Sequence, residues 1–177
     1  LSVSVKQRDS SKICPAHMTT KLLAIDTSSS KCAVALSLGN KLTIRSSSAD
    51  RQATRELLPM ISELLADAAI SLSDLDVIAV SAGPGSFTGI RIGIGVVQGL
   101  SFASNRPAIA LSSLAVCAMA AIRETATSHL VVSQKARENE VYLAAYIRSE
   151  RLGAELVGTE QVGAPKALRL AVQAETI

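Results

Sequence analysis

The chain has 177 residues, enough for one full domain or two small ones with a real core. Hydrophobic residues make up 48 %, which excludes disorder as the overall class, and aromatics only 2 %, so the core must be aliphatic. The few aromatics leave no platform for stacking single-stranded bases. Net charge is +3. Part of it comes from Lys6, Arg8 and Lys12, set against Asp9, so the remaining chain lacks the basic footprint of an autonomous nucleic-acid binder.

Cys14, Cys32 and Cys117 are widely spaced and suggest neither a disulfide framework nor a zinc site. A reducing, cytoplasmic setting fits them. His17 and His129 have no nearby partner for a His-based metal site, so no metal is expected. Pro107 to Ile122, the longest charge-free stretch, falls short of the ~18 residues of a membrane helix.

Residues 1–20 are polar and lack the apolar centre of a signal peptide. They are expected to be an extension, with the natural domain starting at Met18. Leu22 to Ile25 and Cys32 to Leu38 read as two strands around the polar turn Asp26-Thr27-Ser28-Ser29-Ser30-Lys31. A third strand, Lys41 to Ser47, follows the hairpin signal Gly39-Asn40. Thr54 to Ala69 carries Leu57, Leu58, Ile61, Leu64, Leu65 and Ala68 at helical spacing. Its Pro59 lies early, where proline costs least.

Ser71 to Asp76 is a connection, Val77 to Val80 a buried strand, Gly83 to Gly85 a turn, and Phe87 to Ala103 a second helix. Ser112 to Thr125 is an alanine-rich third helix. Leu130 to Ser133 and Glu140 to Ile147 then repeat the opening strand–turn–strand pattern. Ala164 to Ala174 is the last expected helix, with no closing strand after it. The expected organisation is an extension over 1–20, a first lobe over 21–108, and a second lobe over 109–177 that is incomplete at its C-terminal end.

Three features can carry function. The turn Asp26-Thr27-Ser28 offers N–H groups and hydroxyls to phosphate oxygens and an aspartate to hydrated Mg²⁺, or it simply satisfies a turn. Gly83-Pro84-Gly85-Ser86-Phe87-Thr88-Gly89 leads from a strand into a helix that Ser86 or Thr88 can cap. A helix N-terminus attracts anions, but the missing Gly-Lys-Ser/Thr ending excludes a Walker loop. Within the helix, Gly89 and Gly93 are four apart, as are Gly95 and Gly99, and each costs ~1 kcal/mol against Ala. Such spacing makes a groove for close packing, either inside the fold or against a partner. Arg91 is a lone cation there, open to a partner carboxylate, an anion or solvent. No nucleophile–base–orienter set is recognisable, so no catalytic residue is assigned.

Leu22–Leu38, Leu57–Met60 and above all GPGSFTGIRIG (Gly83–Gly93) resemble the TsaB (YeaZ) family of the bacterial tRNA threonylcarbamoyladenosine pathway. The likeness runs from Lys21 to the C-terminus, and Ala136-Arg137 with Asn139-Glu140-Val141-Tyr142 resembles a further family segment. It implies an actin-like (ASKHA, ribonuclease H-like) α/β fold with two related lobes. It also implies a non-catalytic scaffold subunit that pairs with TsaD, the subunit that transfers the threonylcarbamoyl group to adenosine beside the anticodon.

TsaE, an ATPase, is an implied further partner, and tRNA is met through the complex. A homodimer is implied for the protein alone. ATP and metal belong to the partner subunits, and any cofactor contact here is a vestigial phosphate turn at Asp26, Thr27 and Ser28. The pairing surface implied by the first-lobe helices comprises Leu57, Ile61, Gly89, Arg91, Gly93, Val96 and Val97. Ala53 stands where family members often have His, and Lys135-Ala136-Arg137 where they have Asp-Ala-Arg. The family also runs longer at its C-terminus. The competing reading is a small ATP-binding kinase or ATPase of the same superfold, motivated by Asp26-Thr27-Ser28. A glycoprotein peptidase, a label attached to some relatives, lacks a metal motif or nucleophile set.

Overall fold

The computed structural model describes residues 20–47 and 53–170. The expected extension lies outside the described residues except for Thr20. Three antiparallel strands open the fold: β1 (Lys21–Asp26), β2 (Cys32–Leu38) and β3 (Lys41–Ser47). Helix α1 (Ala53–Asp67) leads to β4 (Val77–Ser81), which lies parallel to β1. Helix α2 (Phe87–Ser104) then returns the chain to β5 (Ala108–Leu111), parallel to β4. A parallel neighbour needs such a crossover, and a helix supplies it. The resulting sheet has the order β3-β2-β1-β4-β5.

Strand alternation decides which side of this sheet is filled. Leu23 and Ile25 of β1, Val34 and Leu36 of β2, and Ile78 and Val80 of β4 share one face. They are buried against Leu57, Ile61, Leu64 and Leu65 of α1 and Val97 of α2. The core is therefore aliphatic, as the composition requires. On the outside, Arg45 of β3 pairs with Glu63 at 3.2 Å and Asp67 at 2.5 Å, both on α1. These ion pairs are half-exposed and contribute little beside the core.

The second sheet is β6 (His129–Lys135), β7 (Val141–Ser149) and β8 (Gly153–Gly163), antiparallel throughout. Helix α3 (Ser113–Glu124) packs Leu114 and Ala118 onto Ala144 and Tyr146 of β7. Ser112 caps α3, its hydroxyl accepting from the amides of Leu114 and Ala115.

The strands and helices expected up to Ile147 are all present, but three expectations change. Ala108–Leu111 is a strand of the first sheet, so that sheet runs on to Leu111 and the expected boundary at residue 108 falls inside β5. A strand absent from the expected elements, β8, follows β7 and precedes residue 164. Its residues Gly153 and Gly158 have positive φ and interrupt the period-two pattern by which a strand is read. The helix expected over 164–174 is a turn at 165–167 followed by irregular chain to 170, and 171–174 lie outside the described residues.

Leu64 is 1 % exposed at the centre of the α1 contact. Leu64→Ala is expected to cost about 2–5 kcal/mol, read as a lower urea midpoint at unchanged slope.

Candidate helix association surface

Helix α2 begins on top of the β1–β2 turn. The Ser86 amide donates to the Ser28 carbonyl at 2.6 Å. The buried Thr27 hydroxyl donates to the Gly89 carbonyl at 2.7 Å. Ser86 is the N-cap, its hydroxyl accepting from the Gly89 amide at 3.3 Å. Asp26 closes the same turn: one carboxylate oxygen accepts from the Ser28 amide at 2.8 Å and the Ser28 hydroxyl at 2.7 Å. The three residues expected to form a phosphate turn thus hold each other and the start of α2.

The glycines of the motif fit this junction. A Cβ on Gly89 would overlap the Thr27 carbonyl, and one on Gly93 the Thr27 hydroxyl oxygen, so only glycine lets the helix lie this close. Gly95 and Gly99 differ: among the described residues nothing lies within 4 Å of a Cβ at either position. The two pairs therefore answer the two readings separately. Gly89 and Gly93 serve internal packing, and Gly95 and Gly99 open onto the surface.

The expected interface residues divide in the same way. Leu57, Ile61 and Val97 are core side chains, and Gly89 and Gly93 are buried, so these five are corrected from interface to interior. Helical periodicity identified the apolar stripe, but the sheet claimed it. Val96 is half-buried and packs against the core. Arg91 remains exposed, its guanidinium 3.7 Å from the centroid of the Phe87 ring. Phe87 is 67 % exposed and Phe102 is 91 % exposed.

Phe87, Arg91, Gly95 and Gly99 recur every four residues and form one outward stripe, with Phe102 just beyond it. The two phenylalanines were missed at the sequence level. Phe87 four residues before Arg91, and Phe102 seven after Gly95, was the available signal.

The two sheets meet at Ser112, whose hydroxyl donates to a Glu160 carboxylate oxygen. The buried Tyr146 hydroxyl donates to the same oxygen at 2.9 Å. Desolvation, and then the Glu160 hydrogen bond and charge, push the Tyr146 phenol up to about 12. Ser113 ties α3 to the motif, its amide donating to the Gly83 carbonyl at 2.8 Å and its hydroxyl to the Pro84 carbonyl. Burial, then Glu56 and Asp26, push the Cys32 thiol up, which keeps it protonated. Among the described residues no group of three His, Cys, Asp or Glu could hold a metal ion. No helix there is long and apolar enough to cross a membrane.

A meander of three strands followed by two parallel strands, with a second meander behind it, defines an actin-like α/β protein. Residues 44–174 match the family model described as TsaD: tRNA N6-adenosine threonylcarbamoyltransferase. The YeaZ structure from Pseudomonas aeruginosa superposes with a TM-score of 0.81 at 40 % identity, over 88 % of this chain and 72 % of that one. The Haemophilus influenzae protein TsaB is 41 % identical over 73 % of this chain and 55 % of its own length. The Escherichia coli K12 TsaB is 38 % identical over 73 % of this chain and 56 % of its own. Both are described as tRNA threonylcarbamoyladenosine biosynthesis proteins. The chain belongs to the TsaB (YeaZ) family. It spans a little over half the length of these curated relatives.

Two predictions follow from this geometry. Gly95→Ala should stabilise the protein by about 1 kcal/mol through helix propensity, whereas Gly93→Ala should destabilise it by about 1–3 kcal/mol through its clash with Thr27; thermal unfolding of the pair reads the opposite signs. Tyr146 binds its proton more tightly folded than unfolded, so its contribution is full below pH 10 and is lost as pH rises towards about 12. Denaturant titrations over that window should show this loss in the parent and a smaller one in Tyr146→Phe.

Proposed function

We propose that the protein is a non-catalytic scaffold subunit of the assembly that forms N6-threonylcarbamoyladenosine in tRNA, with a TsaD homologue as its catalytic partner. The observation that carries this reading is the outward stripe of α2. Gly95 and Gly99 each cost about 1 kcal/mol in a helix interior, and no packing among the described residues offsets it. Glycines four apart let another helix approach to backbone distance, and Phe87, Arg91 and Phe102 frame that approach with apolar surface and one cation. Arg91 is free to meet a partner carboxylate while Phe87 orients it.

In this reading the chain pairs with itself through the same stripe when TsaD is absent. A TsaE homologue joins the assembly, and tRNA is met through the complex in the cytoplasm. ATP and metal are held by the other subunits. Asp26, Thr27 and Ser28 are then a vestigial phosphate turn kept as a docking point for α2. The kinase reading draws no support from them, because the Thr27 hydroxyl and the Ser28 amide and hydroxyl already have partners.

Co-purification with a TsaD homologue and a tRNA modification assay test the proposal. Association and dependence of modification on this protein are expected. Gly95→Leu should weaken association at least tenfold, about 1.4 kcal/mol, with the unfolding midpoint kept within a few degrees of the parent. A protein that neither binds TsaD nor affects modification would refute the reading.

A further inference from the structure

The exposed side of α2 becomes its own complement when the helix is reversed. Arg91 and Phe102 are eleven positions apart. At 100° per residue they point within about 20° of each other. Gly95 and Gln98 lie between them on the same side, and all four residues are exposed. The midpoint of Arg91 and Phe102 falls between Val96 and Val97. Along the axis Arg91 and Phe102 stand about 8 Å from that point, one on each side, and Gly95 and Gln98 about 2 Å.

The two outer residues are each half of a contact. Phe102 is 91 % exposed, the most of any large apolar side chain among the described residues. Arg91 has one face of its guanidinium on the Phe87 ring, 3.7 Å from the centroid, and forms no ion pair among the described residues. Its other face is free to take a second ring. In a two-fold interface a residue of one copy meets a second residue of the other, and the reverse contact forms as well. With two α2 helices antiparallel about the midpoint, Arg91 of each copy meets Phe102 of the other. Gln98 of each then lies over Gly95 of the other, in space that no side chain of its own copy fills. A parallel pair would instead set Arg91 against Arg91, a like-charge contact.

We propose that the chain self-associates as an antiparallel pair of α2 helices in which Phe102 of each copy covers the free face of the Arg91 guanidinium of the other. Arg91 is then held between its own Phe87 and the ring of the second copy. The proposal rests on the α2 stripe being an association surface, and it adds the orientation of the pair and the residue that selects a second copy. A catalytic partner brings a carboxylate to Arg91, whereas a second copy brings an aromatic ring. Phe102 is therefore the specificity determinant of self-pairing.

Sedimentation equilibrium of the full 177-residue chain should show a reversible dimer. Arg91→Glu and Phe102→Arg should each weaken it at least tenfold. Their thermal midpoints should stay within a few degrees of the parent, since both side chains are exposed. The double variant should regain at least threefold over Phe102→Arg at low salt and lose that gain at high salt, because the introduced carboxylate and guanidinium then attract across the pair. Within one helix the two positions are about 16 Å apart, too far to pair, so the gain reports the contact between copies. Absence of that gain would overturn the proposal; if Gly95→Leu still weakened the dimer, the α2 surface would stand without this contact. A dimer indifferent to Gly95→Leu would overturn both. A chain that stays monomeric at its highest soluble concentration would overturn the self-pairing alone, since the scaffold reading is decided by association with a TsaD homologue.

Discussion

The hydrogen bond from the buried Thr27 hydroxyl to the Gly89 carbonyl is the constraint on which the first sheet and its helices depend. It joins the tip of the first hairpin to the first turn of α2, 62 residues later in the chain. The bond forms only if helix and turn approach to backbone distance, and side chains at 89 and 93 would hold them apart. Ser86 supports it twice, by capping α2 and by donating its amide to the Ser28 carbonyl. With α2 seated there, Val97 reaches the core made by β1, β2, β4 and α1. The motif that looks like an anion loop is thus a joint.

That joint also sets the direction of everything on the outside of α2. Once Gly89 and Gly93 face inward, the 100° step of the helix turns Phe87, Arg91, Gly95 and Gly99 outward together. The inner glycines are explained by a contact within the fold. The outer ones have none among the described residues, which is why the proposed association surface is placed on them. The same seating leaves the Gly83 and Pro84 carbonyls to receive Ser113, so α3 and the second sheet are hung from the far end of the motif.

The second sheet repeats the meander of the first on a smaller scale, and alternation again sorts its residues. Leu130, Val132, Ala144 and Tyr146 pair across β6 and β7 on the side that α3 covers. Glu160 of β8 closes this layer from outside by accepting from both Ser112 and Tyr146. A single carboxylate oxygen therefore links the cap of α3, the buried phenol and the last strand, and burial keeps that phenol protonated.

Much of this was legible without coordinates. Short apolar runs marked β1, β2 and β4, helical spacing marked α1, alanine richness marked α3, and Gly39-Asn40 marked the β2–β3 turn, because each signal is local. The family was legible from GPGSFTGIRIG. Tertiary structure alone decided which glycine pair faces inward, since both pairs share one spacing and only the position of Thr27 separates them. It also decided that Leu57, Ile61 and Val97 are core and not interface, because an apolar helical stripe reads the same whether a sheet or a partner covers it. It revealed β5 and β8, one short and the other broken by positive-φ glycines, because their pairing is supplied by strands distant in sequence. The sequence by itself determined the order and type of most elements. What packs against what was decided by non-local contact, for which no residue pattern is a sufficient signal.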